Sequence, residues 1–231
     1  TTETSDRAFE EEVMLAGFAS APTKQEGAGV VFDQANETFT ARYNHETIAL
    51  AFAITEEAIE DNLYDRLAAR YTRALARSMA NTKQVKAANV LNNAQNTAFT
   101  GGDGKTLINS AHPLATGGTF SNVLATAADL NETSLEQSLI DIQAFVDERG
   151  LKIASQGVKM IIPKELQFTA ERLMKSPQRT ATADNDINAL ASMGMIPQGY
   201  RVNNFLTDTD AFFLLTDVPN GLKMFVRSPI K

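Results

Sequence analysis

The sequence predicts an α+β protein organised around one very long helix, and two observations carry that prediction. From Val30 to Thr100 the chain contains neither glycine nor proline, the strongest chain breakers, although it uses both normally elsewhere. Beyond residue 130, segments with helical and with strand periodicity follow one another, without clean βαβ repetition or internal repeats.

The helix is expected to start at Thr55, a good N-cap, with Glu56, Glu57, Glu60 and Asp61 near the positive end of its dipole. Leu63, Leu67, Tyr71, Leu75 and Met79 recur every fourth residue, so the apolar line drifts by about 40° per step. A drifting line suits a helix that meets different neighbours along its length. Alanines fill much of the remainder, and continuation to about Asn96 is predicted, with Asn81, Asn89, Asn92 and Asn93 as its weakest positions. Such a helix would be about 60 Å long, whereas a compact chain of this size has a diameter of about 45 Å. It breaks near Asn81, or it belongs to an elongated subunit whose neighbours cover what it exposes.

The elements before and after it follow from local pattern. Arg7 to Gly17 reads as a short helix carrying Glu10-Glu11-Glu12 on a solvated face. Residues 18–29 read as a loop. Val30-Val31-Phe32 and Phe39 to Tyr43 read as the strands of a β-hairpin joined through Asp33 to Asn36, and Ile48 to Ile54 is a third apolar run. A lone hairpin is marginal in water, so a projecting one needs a partner surface. Residues 100–128 form a long loop region rich in Gly, Ser, Thr and Asn. A helix is predicted from Ser134 to Arg149, with Leu135, Leu139, Ile142 and Val146 on one face and Gly150 ending it. Val158 to Ile162 reads as a buried strand. Pro163 opens a further helix, with Leu166, Ala170 and Leu173 on one face, and Asp186 to Met193 a short one. Tyr200 to Asn204, Ala211 to Thr216 and Leu222 to Val226 read as strands.

Composition narrows the function. Cysteine is absent, which removes disulfides, thiolate metal sites and cysteine nucleophiles. The net charge of −7 argues against a dedicated nucleic-acid binder. No apolar run approaches about eighteen residues, so no membrane span is implied. Phe99 to Thr106 imitates a phosphate-binding loop, but Phe99 stands where the motif needs its first glycine; a turn closing the long helix is the expected role. His45 and His112, the two histidines, form no i, i+4 pair, and no metal or cofactor is assigned. Asn36-Glu37-Thr38 and Asn131-Glu132-Thr133 match the glycosylation acceptor pattern and are treated as chance. A carboxylate-dependent hydrolase would have to draw on Asp103, Asp208 and Asp210. One charge feature stands out. Arg66, Arg70, Arg73 and Arg77, spaced 4, 3 and 4, line one narrow face of the helix, where like charges repel. They are candidates for contact with acids of an adjoining subunit or with nucleic-acid phosphates. Phe32, Phe39, Arg42 and Tyr43 of the hairpin are candidate intersubunit contacts.

Several separate segments, in order, carry a resemblance. Ile54 to Ala98, Phe99 to Leu114 ("FTGGDGKTLINSAHPL"), Thr119 to Ile153, Thr182 to Leu190 ("TADNDINAL") and Phe205 to Lys223 ("FLTDTDAFFLLTDVPNGLK") together resemble the major capsid proteins of tailed bacteriophages. The nearest group is the Mu-like prophage major head subunit, within the HK97-like capsid fold. The resemblance implies a flat subunit with a spine helix in a peripheral (P) domain, an axial (A) domain and a projecting hairpin, the E-loop. By position, 1–26 would be part of an N-terminal arm, 27–53 the E-loop hairpin, 54–100 the P-domain with the spine helix, 101–217 the A-domain and 218–231 the start of the return to the P-domain. It implies a non-enzymatic structural protein whose hexamers and pentamers close an icosahedral shell around double-stranded DNA. Portal, scaffold and decoration proteins would be further partners, DNA would be met without sequence-specific contact, and assembly would take place in the host bacterial cytoplasm. Encapsulin-like compartments, which share the fold, are the alternative.

Overall fold

The computed structural model describes residues 2–61, 67–179 and 186–229. Its elements in chain order are β1 (Thr2–Thr4), β2 (Phe9–Ala16), β3 (Asn36–Asn44), α1 (Glu56–Glu60), α2 (Leu67–Asn92), β4 (His112–Pro113), β5 (Thr119–Phe120), α3 (Glu132–Gln143), β6 (Gly157–Ile162), α4 (Gln167–Lys175), α5 (Ala189–Met193), β7 (Tyr200–Val202), β8 (Phe213–Thr216) and β9 (Met224–Val226). A 3₁₀ turn, Lys164–Leu166, leads from Pro163 into α4.

The core lies in the second half of the chain. β6 is the middle strand of a three-stranded sheet, parallel to β7 and antiparallel to β8. The parallel pair needs a crossover, and α4 with α5 supplies it. Leu135 and Leu139 of α3, Met160 and Ile162 of β6, Ala170 and Leu173 of α4, and Leu190 and Ile196 close over one another as a single buried cluster. Packing there is tight: a Cβ on Gly157 would lie 2.8 Å from Leu139 Cδ2. The caps are built from side chains. Asn131 accepts from Ser134 N while the Ser134 hydroxyl accepts from Asn131 N, so the asparagine of the second glycosylation-like triplet is the N-cap of α3. Buried Asn188 caps α5 and donates to Leu173 O at 2.6 Å.

The first half is built differently. β2 and β3 form a long antiparallel hairpin with a bulge between Val13 and Leu15. β1 lies parallel to β9, and Tyr43 of β3 packs on Phe225 of β9 with ring centroids 5.4 Å apart. α2, 26 residues and about 39 Å long, is fixed at its far end. Asn92 donates to Phe205 O and accepts from Thr207 N, and Ala94 O accepts from Ile108 N.

Several expectations are corrected. Arg7 to Gly17 is not a helix; it contains β2, because its acids find cross-strand cations. Glu11 pairs with Arg42, and Glu12 with Lys223. The partner of Phe39 to Tyr43 is therefore β2, and Val30 to Phe32 carries no strand. α2 ends at Asn92 rather than Asn96, with turns following. Whether α1 and α2 are one helix, and the places of Leu63 and Arg66, lie outside the described residues. α3 stops at Gln143, short of Arg149: the Asp147 carboxylate accepts from Arg149 N and Leu151 N, turning the chain so that Val146 bridges Lys152. Gly150, with φ of +80°, serves that turn and not a helix end. Thr182 to Asn185 also lie outside the described residues, and the short helix begins at Ala189.

Candidate assembly surface

The β2–β3 hairpin is closed by a long loop, residues 17–35, that carries little secondary structure of its own. Around this end the chain leaves Leu15, Phe18, Val30, Val31 and Phe32 exposed, Phe32 at 93%. Side chains of this type are normally buried, and contiguous exposed groups of them mark contact sites. The loop does not project freely. Asp33 accepts from Ala19 N at 2.8 Å and from Gln34 N at 2.9 Å, which pins the loop's two arms together. Arg149 Nη2 lies 2.8 Å from both Asp33 oxygens and ties the loop to the turn after α3. The hydrogen bond from Ala19 first, then those from Arg149 and Gln34, hold the Asp33 carboxyl down at about 2. The hairpin's middle is also seated: Gly102 presses against the backbone of β3, where a Cβ would lie 2.8 Å from Thr40 O.

The hairpin residues singled out in the sequence divide. Phe32 is free and Phe39 is half-buried. Arg42 pairs with Glu11 at 2.6 Å and lies 4.4 Å from the centre of the Phe9 ring. Tyr43 donates to Glu12 at 3.3 Å, and burial, then the Glu12 charge, pushes its hydroxyl up. Arg42 and Tyr43 thus already have partners within their own chain.

The second patch is the first half of α2. This helix contains no acidic residue at all, against Arg70, Arg73, Arg77, Lys83 and Lys86. Ala69 to Ala74 are exposed, with Tyr71 at 47%. Arg70, Arg73 and Arg77 span an arc of about 60°. Among the described residues none of the three has an acidic partner, whereas Lys86 on another face is bonded to Glu46 at 2.6 Å.

The carboxylates of the enzyme reading do not form a buried site. Asp103 is taken by His112 Nδ1 at 2.6 Å and by Lys105 N at 3.0 Å. Asp208 and Asp210 are exposed neighbours on a turn, Asp208 held down and Asp210 pushed up by the bond between them. Among the described residues no cluster of His and carboxylates is arranged to hold a metal ion, and no helix is long and apolar enough to cross a membrane.

Sequence reading missed the roles of Asp33, which it placed in the connection between the hairpin strands, and of Arg149, which it placed at the end of a helix. It also passed over Leu15 and Phe18, whose apolar character was the available signal.

The comparison with known families decides the class. The model of a family described as phage capsid protein matches residues 38–229. The chain belongs to the phage capsid protein family. Its fold matches solved structures of a phage shell. The capsid of bacteriophage JBD30 gives a TM-score of 0.67 at 12% identity over 90% of this chain and 89% of that one. The same capsid decorated with minor capsid protein trimers gives 0.64 at 12% identity, over 90% and 88%. The procapsid of that phage gives 0.55 at 14% identity, over 89% of each chain. No curated protein matches by sequence. The mixed helix and strand architecture of this phage capsid protein is therefore that of a capsid subunit, and its place is the capsid of a virion.

Proposed function

We propose that this chain is the major capsid protein of a tailed bacteriophage, with the HK97-like fold and closest to the Mu-like prophage head subunits. It assembles as hexamers and pentamers into an icosahedral shell around double-stranded DNA. One observation carries the reading. The chain exposes 16413 Å², whereas a compact monomer of 25.1 kDa would expose about 10,000 Å², an excess of about 6,000 Å². A standard interface covers about 800 Å² per partner, so the excess amounts to several interfaces. Many modest contacts engaged together make a stable closed shell.

In this reading 1–26 are part of the N-terminal arm, 27–53, which hold β3, are the E-loop hairpin, 54–100 with α1 and α2 are the P-domain and its spine helix, 101–217 form the A-domain, and 218–231 return toward the P-domain. Phe32, Phe39, Arg66, Arg70, Arg73 and Arg77 are proposed as contact residues between subunits, and Arg42 and Tyr43 as contacts that would add to the partners they have within the chain. Portal, scaffold and decoration proteins complete the particle, which is assembled in the host cytoplasm and meets its DNA without base-specific contact. The protein has no catalytic role. Membership of the phage capsid family favours this over an encapsulin-like compartment. The test is size-exclusion chromatography and electron microscopy of the purified protein: capsomers or shells are expected, and a stable monomer with hydrolytic turnover overturns the proposal.

A further inference from the structure

We infer that the arginine row of α2 is covered by the acidic segment Glu56 to Asp61 of a second copy of this chain, in a head-to-tail contact. The inference rests on the shell reading above and names the partner of that surface. Glu56, Glu57, Glu60 and Asp61 are all exposed, and among the described residues none forms an ion pair. They precede a helix that contains no acid and whose Arg70, Arg73 and Arg77 have no acidic partner among the described residues. The two patches are opposite in charge, sit at successive positions along the same part of the chain, and leave each other unsatisfied within it. A surface and its complement at different places on one molecule produce a heterologous contact, the kind that closes into rings when copies repeat it. The contact also suits a chain of net charge −7, whose copies would otherwise repel at close range. Arginine holds carboxylates in a planar two-point grip, so the row can fix register as well as attract. Ion pairs of this exposed type are individually weak and screened by salt. Repetition at every junction is what makes them count.

A charge-reversal cycle tests the inference. R70E/R73E and E57K/E60K are each expected to lower particle yield about tenfold at low salt, with circular dichroism of the separated subunits unchanged. The chain carrying all four changes restores the pairs with their signs exchanged and is expected to recover assembly. An equimolar mixture of the two double variants is expected to give a higher particle yield than either does alone. Failure of the fourfold chain to recover overturns the inference. So does normal yield from E57K/E60K combined with an R70E/R73E shell that only holds less nucleic acid, because phosphate and not a second copy would then face the row. Both of these results leave the shell reading standing; absence of any particle from the unaltered chain is what counts against that reading.

Discussion

Arg149 and Asp33 lie 116 residues apart, yet one guanidinium nitrogen sits 2.8 Å from both carboxylate oxygens. This pair decides how the long loop of the hairpin sits on its own subunit. The Asp33 carboxyl is held at about 2, below its ordinary 3.8. The attachment it supports is therefore complete above about pH 4 and is lost as pH falls toward 2. Carboxyl NMR of Asp33 should show a midpoint near 2. In Arg149→Gln the midpoint should rise but stay below 3.8, because the bonds from Ala19 and Gln34 survive. Hydrogen exchange in residues 17–35 should speed up in that variant at neutral pH. An unchanged exchange rate would mean that Arg149 does not hold the loop.

Phe32→Ser should separate assembly from folding. With 93% exposure the ring contributes little to the isolated subunit, so its melting temperature should move within the range of about 0.5 kcal/mol expected of surface changes. Particle yield should fall. Equal losses of both would show that Phe32 packs within its own chain.

Gly102→Ala should destabilise the subunit by about 1–3 kcal/mol. The added methyl would meet Thr40 O at 2.8 Å and Thr40 C at 2.9 Å, and these are backbone atoms that cannot swing aside. Chemical denaturation of the subunit checks this.

Asn188→Ala removes the α5 cap and leaves the carbonyl of Leu173 without its partner in a buried place. A cost of about 2–4 kcal/mol follows from the cap and the unmade hydrogen bond together. Asn188→Asp keeps the acceptor but sets a charge against that carbonyl, so thermal melting should show that it does not rescue.

The second half of the fold was the more legible in sequence, because its elements bury their own apolar faces. Val158 to Ile162 and the Leu166, Ala170, Leu173 face were readable from periodicity alone, and β6 and α4 stand where they were expected. The first half obeys contacts distant in sequence. Glu10 to Glu12 looked like a solvated helical face, since nothing local announces Arg42 or Lys223 as their partners. α3 ended early for a different reason: one aspartate, Asp147, bends the backbone with two hydrogen bonds before the pattern runs out. The shared face of Arg70, Arg73 and Arg77 needs only helical spacing, and α2 supplies it. The Arg149–Asp33 pair was not legible, because no short-range pattern links an aspartate in a loop to an arginine beyond a helix.

The buried cluster of leucines, two isoleucines, methionine and alanine lies within residues 130–196, and Gln156 and Asp217 clip β8's end to that region by hydrogen bonds in both directions. This part carries its interior with it. Excised from about 128 to 217, it should still adopt its shape, whereas the hairpin and α2 would lose theirs when cut free. The molecule thus sets a block with its own interior beside limbs that draw their contacts from elsewhere in the chain, so insertions outside residues 130–196 should leave that interior intact.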